Sequence, residues 1–245
     1  MAKRSLKTAD PSPNRKGGRK AVRLPESGEG DVVCISAPNG QRRRGDDVRE
    51  RILSASLQCF SAFGFEGTST RAVAAKAGLT HSLILYHFES KDQLWLSTME
   101  VVMGAFVGDL KAVISENEGP ADRALREFIA KLVRLSAEHP EVNRIMTMEG
   151  GQDTERLRYV MNAHGRQIFN DFCSLIRRGQ EEATVVDCDP ARMYFHIVAS
   201  AESTFSKAPQ YKELTGRDAF SEQEILRTIA FLYDVIFRPA ANIQT

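Results

Sequence analysis

The stretch AAKAGLTHSLILYHFESK, Ala74 to Lys91, decides the fold. It opens as a helix of small residues, stops at Gly78, restarts at Thr80 and stops again near Ser90. Helices this short are marginal alone, so both must be held by a larger body. Gly78 can take a positive φ and end the first helix in one sharp turn. Ala74, Gly78 and Ile84 have the spacing of a helix-turn-helix, a small residue letting the second helix approach closely. Val73, Ala77, Leu79, Ile84 and Phe88 then form an apolar side expected to pack on the preceding helix.

In that motif the second helix enters a major groove with its N-terminal residues at the base edges. Here those residues are Thr80, His81 and Ser82, which can hydrogen-bond to bases or phosphates. Thr68, Ser69, Thr70 and Arg71 begin the helix before it. Hydroxyls and a guanidinium at a helix N-terminus suit a phosphate. Lys91 opens the next helix as a further anchor of the same kind.

Working outward, "DDVRERILSASLQCFSAFG" (46–64) reads as an amphipathic helix with acids at its start and Gly64 at its end. "FEGTS" is a turn, and one of Thr68, Ser69 or Thr70 caps the next helix. After Ser90 the pattern predicts a long helix to about Glu118. Further helices follow over 119–140, 141–150, 153–183 and 189–207. Asp189 is a cap with Pro190 at the first helical position. The last, from Ser221 to before Pro239, opens on a Ser221-x-x-Glu224 capping box. "ATVVDC" (183–188) is a link between helices. The expectation is an all-α fold of about nine helices.

Residues 1–45 differ. They hold four prolines and no lasting period, and they read as a disordered arm with at most a brief extended piece at "DVVCIS". The arm carries a net charge of +7 and the remaining residues −6, within a total of +1. A basic arm on an acidic body suggests an anionic partner, although a tail that merely aids solubility would look the same.

The composition also excludes classes. No apolar run is long enough for a membrane span, and the basic N-terminus lacks the apolar stretch of a signal peptide. Cys34, Cys59, Cys173 and Cys188 form no CxxC pair and lie near no histidine at ligand spacing, so reduced thiols in a cytoplasmic protein are expected, with no metal and no cofactor. Scattered histidines and the absence of HExxH, GxSxG or a phosphate-binding loop argue against an enzyme, and no catalytic residue is assigned. A helical interaction or ligand-binding bundle that does not act through DNA would leave the hydroxyl-rich helix starts and Lys91 unexplained.

The segments "GFEGTSTRAVAAKAGL" (64–79) and "LYHFESKDQL" (85–94) resemble the DNA-binding domain of TetR-family transcriptional regulators almost without a gap. The resemblance implies His87 and Tyr86 as further DNA contacts, beside Thr80, His81, Ser82 and Lys91, with Phe88 in the core. The chain departs from the family at Leu85, where a phosphate-contacting tyrosine is usual. Three parts are implied: the arm 1–45, a three-helix DNA-binding domain 46–91, and a helical domain 92–240 that binds a small effector and dimerises through its last helices. The implied partners are a double-stranded operator, a second copy of the chain and a partly apolar small molecule. The usual function is a repressor released from a near-palindromic operator, and an activator is the other possibility. Met99, Met103, Phe106, Phe128, Met146, Phe169 and Phe172 are pocket candidates, because pliable apolar walls suit such ligands. Trp95 is expected to anchor the fourth helix on the DNA-binding domain.

Overall fold

The computed structural model describes residues 44–117 and 119–239. The arm, with its DVVCIS segment, two of its three adjacent arginines and Cys34, lies outside the described residues. The chain begins with α1 (Arg44–Gly67), α2 (Thr70–Ala77), α3 (His81–Phe88) and α4 (Lys91–Glu116). It continues with α5 (Ala121–Glu138), α6 (Pro140–Gly150), α7 (Glu155–Val160) and α8 (Arg166–Glu181). It closes with α9 (Pro190–Ser206), α10 (Ala208–Thr215) and α11 (Glu222–Ile236).

A π-helical turn, Met161–Gly165, joins α7 to α8. Counting that interrupted rod as one gives ten helices among the described residues, and no strand. The expected continuous helix over 153–183 is thus broken. At Gly165 a side chain would meet the Met161 sulfur at 2.9 Å, so the wide turn is packed tightly from within.

Local capping explains most boundaries. α1 breaks at Gly64, whose φ of 66° and ψ of 180° leave the helix. Ser69, Ser90, Asp189 and Ser221 each accept the backbone N–H of the third residue of their helices. The expected capping box at Ser221 is only half made. The Ser221 N–H donates to the Asp218 carbonyl, while the Glu224 carboxylate turns to Tyr211 and Arg227.

The additional helix is α10, ended by Gly216 at φ 71°. It buries no residue, so it carries no apolar stripe by which its sequence could be read. The ATVVDC link is pinned to the C-terminal end: Val186 N–H donates to Ile236 O and Arg238 N–H to Thr184 O, each at 3.0 Å.

α5 is the axis of the body. Its stripe of Ala124, Leu125, Phe128, Ile129, Leu132 and Val133 is buried against α4, α8, α9 and α11. α1 packs on α2, α4 and α6, which places the three N-terminal helices at one end. Phe60, Trp95, Phe128, Phe172 and Phe205 are fully buried, each contributing about 2 to 3 kcal/mol of apolar transfer. Cys59, Cys173 and Cys188 are free thiols. No described helix is long and apolar enough to cross a membrane.

Candidate nucleic-acid interface

Gly78 sets the geometry. It stands at φ 64° and ψ 38°, and its N–H donates to Ala75 O while that of Leu79 donates to Ala74 O at 2.9 Å. This pair of bonds is a Schellman cap, and it satisfies carbonyls that the end of α2 would otherwise leave free. The Arg51 guanidinium of α1 adds a bond to Ala77 O at 2.8 Å. Val73, Ala74 and Ala77 are buried on α2, Ile84 and Phe88 on α3. α3 packs on α2 and α4, and it meets α1 through Arg49, whose guanidinium lies 5.3 Å from the Phe88 ring centre.

The opposite side is open. Thr80, Ser82, Leu85 and Tyr86 are exposed on α3, and Ser69 and Arg71 on the start of α2. Tyr86 is 80% exposed, and its ring meets the half-buried His87 edge-on, with centres 5.3 Å apart. Thr70 Oγ1 and His81 Nε2 are 2.9 Å apart, so one hydrogen bond ties the two helix starts into a single surface. Thr80 occupies the capping position of α3, but its hydroxyl makes no cap bond and remains free to turn outward.

Two expected contacts are placed differently. Thr68 is 4% exposed, with its hydroxyl 2.8 Å from Gly64 O and 3.1 Å from Cys59 O. It fastens the turn to α1 and cannot reach DNA with its side chain, so it leaves the contact set. Lys91 donates to Phe65 O at 3.0 Å and sits 4.1 Å from the Phe65 ring centre. Its ammonium braces the turn before α2, with protons to spare for a phosphate. Leu85, where the family usually has tyrosine, is 41% exposed on the same face. Its aliphatic side chain suits the methyl of thymine rather than a phosphate. The braces Arg49 and Arg51 were missed in the sequence, where arginines on the exposed side of an amphipathic helix read as solvated charge.

Phe65 also joins this end to the body. Arg156 of α7 lies 3.7 Å from its ring centre and 5.8 Å from that of Trp95, and Phe60 stacks with the same ring. Arg156 pairs at 3.2 Å with the buried carboxylate of Glu149, which also accepts from the Thr154 hydroxyl. Trp95 is fully buried beneath this joint.

In the body, Met99, Met103, Phe106, Phe128 and Phe172 are buried in the core, and Met146 and Phe169 are partly buried. The Phe128 and Phe172 rings are 5.2 Å apart. A groove of about 330 Å³ lies elsewhere, among Ser203, Tyr211, Arg217, Glu224, Arg227 and Phe231, and none of the seven pocket candidates lines it.

Residues 52–98 match the family described as "Bacterial regulatory proteins, tetR family", and residues 122–236 match "Tetracyclin repressor-like, C-terminal domain". The chain belongs to the TetR family. It is a DNA-binding transcriptional regulator of that family, whose members bind operator DNA as homodimers and respond to small-molecule effectors. This TetR-family chain is 27% identical to the HTH-type transcriptional regulator RutR of Escherichia coli (strain K12) over 198 residues, which cover 80% of the chain and 92% of the relative. It is 29% identical to the HTH-type transcriptional repressor NicS of Pseudomonas putida over 107 residues, 44% of the chain and 50% of the relative. Among solved structures it resembles AibR in complex with isovaleryl coenzyme A and operator DNA, with a TM-score of 0.65 at 15% identity over 78% of the chain and 99% of that chain. It also resembles the ketosteroid regulator KstR2 of Mycobacterium tuberculosis, with a TM-score of 0.64 at 17% identity over 78% and 95%. These two likenesses carry the fold.

Proposed function

We propose that this TetR-family regulator represses transcription by holding a near-palindromic operator and is released when a small, partly apolar effector binds its body. On this reading residues 46–91 are the DNA-binding head and 92–240 the effector-binding body. Arm residues 1–45 add phosphate contacts, and the protein works in the cytoplasm without catalysis. The observation that carries the reading is the hydrogen bond between Thr70 and His81. It welds two polar helix starts into one outward surface, with Ser69, Arg71, Ser82 and Tyr86 around it. Thr80, His81 and Ser82 read bases, and Lys91 and His87 hold the backbone.

The dimer follows from the other end. Phe195 of α9 and Leu226 and Phe231 of α11 are 69%, 51% and 56% exposed. Large apolar side chains on adjacent outward faces suit covering by a symmetric copy. Two heads then meet half-sites about one DNA turn apart, ~34 Å. AibR, a neighbour of the same fold, was solved in complex with isovaleryl coenzyme A and operator DNA, which supports DNA and a small molecule as partners of this fold. The test is fluorescence anisotropy of the full chain on promoter DNA from around its own gene. Specific binding that weakens steeply with salt is expected. Absent or salt-insensitive binding contradicts the reading.

A further inference from the structure

The face left for a second copy carries unbalanced charge at two points. The first is the groove of about 330 Å³ among α9, α10 and α11, lined in part by the small residues Ser200, Ser203 and Thr228. Three charges line it as well. The Glu224 carboxylate is buried, and the half-exposed guanidiniums of Arg217, 3.9 Å away, and Arg227 both turn to it. Two cations share one anion, so the groove keeps one positive charge. The second point is Asp234, seven residues after Arg227 and on the same face of α11. It is exposed and has no hydrogen-bond or ion-pair partner among the described residues. Seven residues are about 10 Å of helix, too far for Arg227 and Asp234 of one chain to meet.

We propose that Asp234 of each copy enters the groove of the other and pairs with Arg227, so that two reciprocal ion pairs set the register of the homodimer and select a like chain. The pairing rests on the homodimer proposed for this regulator. It is continuous with the exposed apolar face of that dimer, because Phe231 belongs to the face and also lines the groove. A symmetric contact is self-complementary, so whatever Arg227 meets, the partner's Arg227 meets too. Parallel packing of the two α11 helices would set Arg227 against the partner's Arg227 and Asp234 against the partner's Asp234, and like charges across an interface repel. Antiparallel packing about a two-fold axis between Ala230 and Phe231 removes both clashes. Positions 227 and 234 lie equally far from that axis, so Arg227 faces the partner's Asp234 and Asp234 the partner's Arg227. Each Phe231 ring then meets the partner's Ala230, an exposed residue small enough to let the helices close. Covering the surplus guanidinium without a carboxylate is unfavourable. Asp234 supplies one and leaves Glu224 with its own partners.

The experiment is sedimentation equilibrium of the full chain and of Arg227→Asp, Asp234→Arg and the double exchange, each checked for folding by circular dichroism. Either single change sets like charges face to face at two points and should weaken the dimer about ten-fold or more. The double exchange should return it to within about three-fold of the wild type. Asp234 has no partner in its own chain, so its replacement tests the pairing without disturbing Glu224. Mixing the two single variants, one of them tagged, restores opposite charges at both points. Native mass spectrometry should then find mixed dimers in about ten-fold excess over either like dimer. A dimer of wild-type strength in Asp234→Arg, no recovery in the double exchange, or mixed dimers in statistical proportion each overturns the proposal. So does a loss confined to Arg227→Asp, which would give the groove another occupant, such as a free anion. The wild type separates the two readings. A monomer at micromolar concentration contradicts the homodimer and the pairing together. A wild-type dimer indifferent to all three changes leaves the homodimer standing, and only the pairing falls.

Discussion

α6 touches two carboxylates whose surroundings are opposites. At its C-terminal end Glu149 is buried, yet it accepts from Thr154 and pairs with Arg156 at 3.2 Å. Further back on α6, Thr147 offers the less buried Glu202 a single long hydrogen bond at 3.5 Å. Burial alone would rank Glu149 as the stranger residue. Donors reverse the ranking: Glu149 has both Thr154 and Arg156, Glu202 only the distant Thr147 hydroxyl. A fully served buried carboxylate is part of the frame, and here the frame is the joint that holds Phe65 and the turn before α2. A weakly served one keeps the cost of its burial, which shows in a raised pKa.

That contrast breaks most readily at the joint. Glu149→Ala leaves Arg156 half-buried without its partner, and its Nε already lacks a hydrogen bond. The expected loss is about 3 to 5 kcal/mol, a fall in Tm of roughly 10 °C for a chain of this size. Thermal denaturation followed by circular dichroism checks it. A fall under about 3 °C would show that the pair contributes little.

Phe65→Ala comes next. The Lys91 ammonium and the Arg156 guanidinium lie 4.1 and 3.7 Å from the ring centre, and the ring stacks with Phe60. Its removal should cost about 2 to 3 kcal/mol of stability and loosen the start of α2. Operator affinity should fall at least ten-fold, about 1.4 kcal/mol, measured by anisotropy at fixed salt. Unchanged affinity would separate the joint from DNA binding.

At Glu202 the sign reverses. Its folded value of about 7 lies above the ordinary 4.5, so the folded chain holds this proton more tightly than the unfolded one. The site is without penalty below pH 4.5, and the penalty grows as pH rises from 4.5 to 7. Glu202→Gln should therefore stabilise the chain at pH 8 by about 2 kcal/mol, roughly 5 °C in Tm, and leave it unchanged at pH 4.5. Denaturation at both pH values decides, and a loss of stability at pH 8 would place Glu202 with Glu149 in the frame.

The smallest effect on stability falls on the outward surface. Ser82→Ala should change stability by less than about 0.5 kcal/mol and yet shift base preference at one position of each half-site, as read by selection from a randomised operator. Replacing Lys91 should weaken all sequences alike.

What was legible in the sequence was what short-range chemistry dictates. The turn at Gly78, a cap for α2 among Thr68, Ser69 and Thr70, the start of α4 at Ser90, the caps at Asp189 and Ser221, and the apolar sides of α1 to α3 each depend on residues a few positions apart. The inward turn of Thr68 was not legible, because its partner carbonyl on Cys59 belongs to the packed end of α1. Phe65 and Arg156 meet only because α6 folds back on α1, and no local pattern announces that. α10 escaped because it buries nothing. The pocket candidates were chosen as apolar residues, and most of them are core. The contact of Phe169 and Phe172 with Tyr194 of α9 emerges only in three dimensions.

The central claim is that the surface joined by Thr70 and His81 reads operator DNA. Hydroxyl-radical footprinting of the full chain on promoter DNA from around its own gene tests it most directly. The account predicts two protected patches on one face of the duplex, about one turn (~34 Å) apart, which lose sequence selectivity in His81→Ala. Protection spread evenly along the DNA, or none at all, would contradict it.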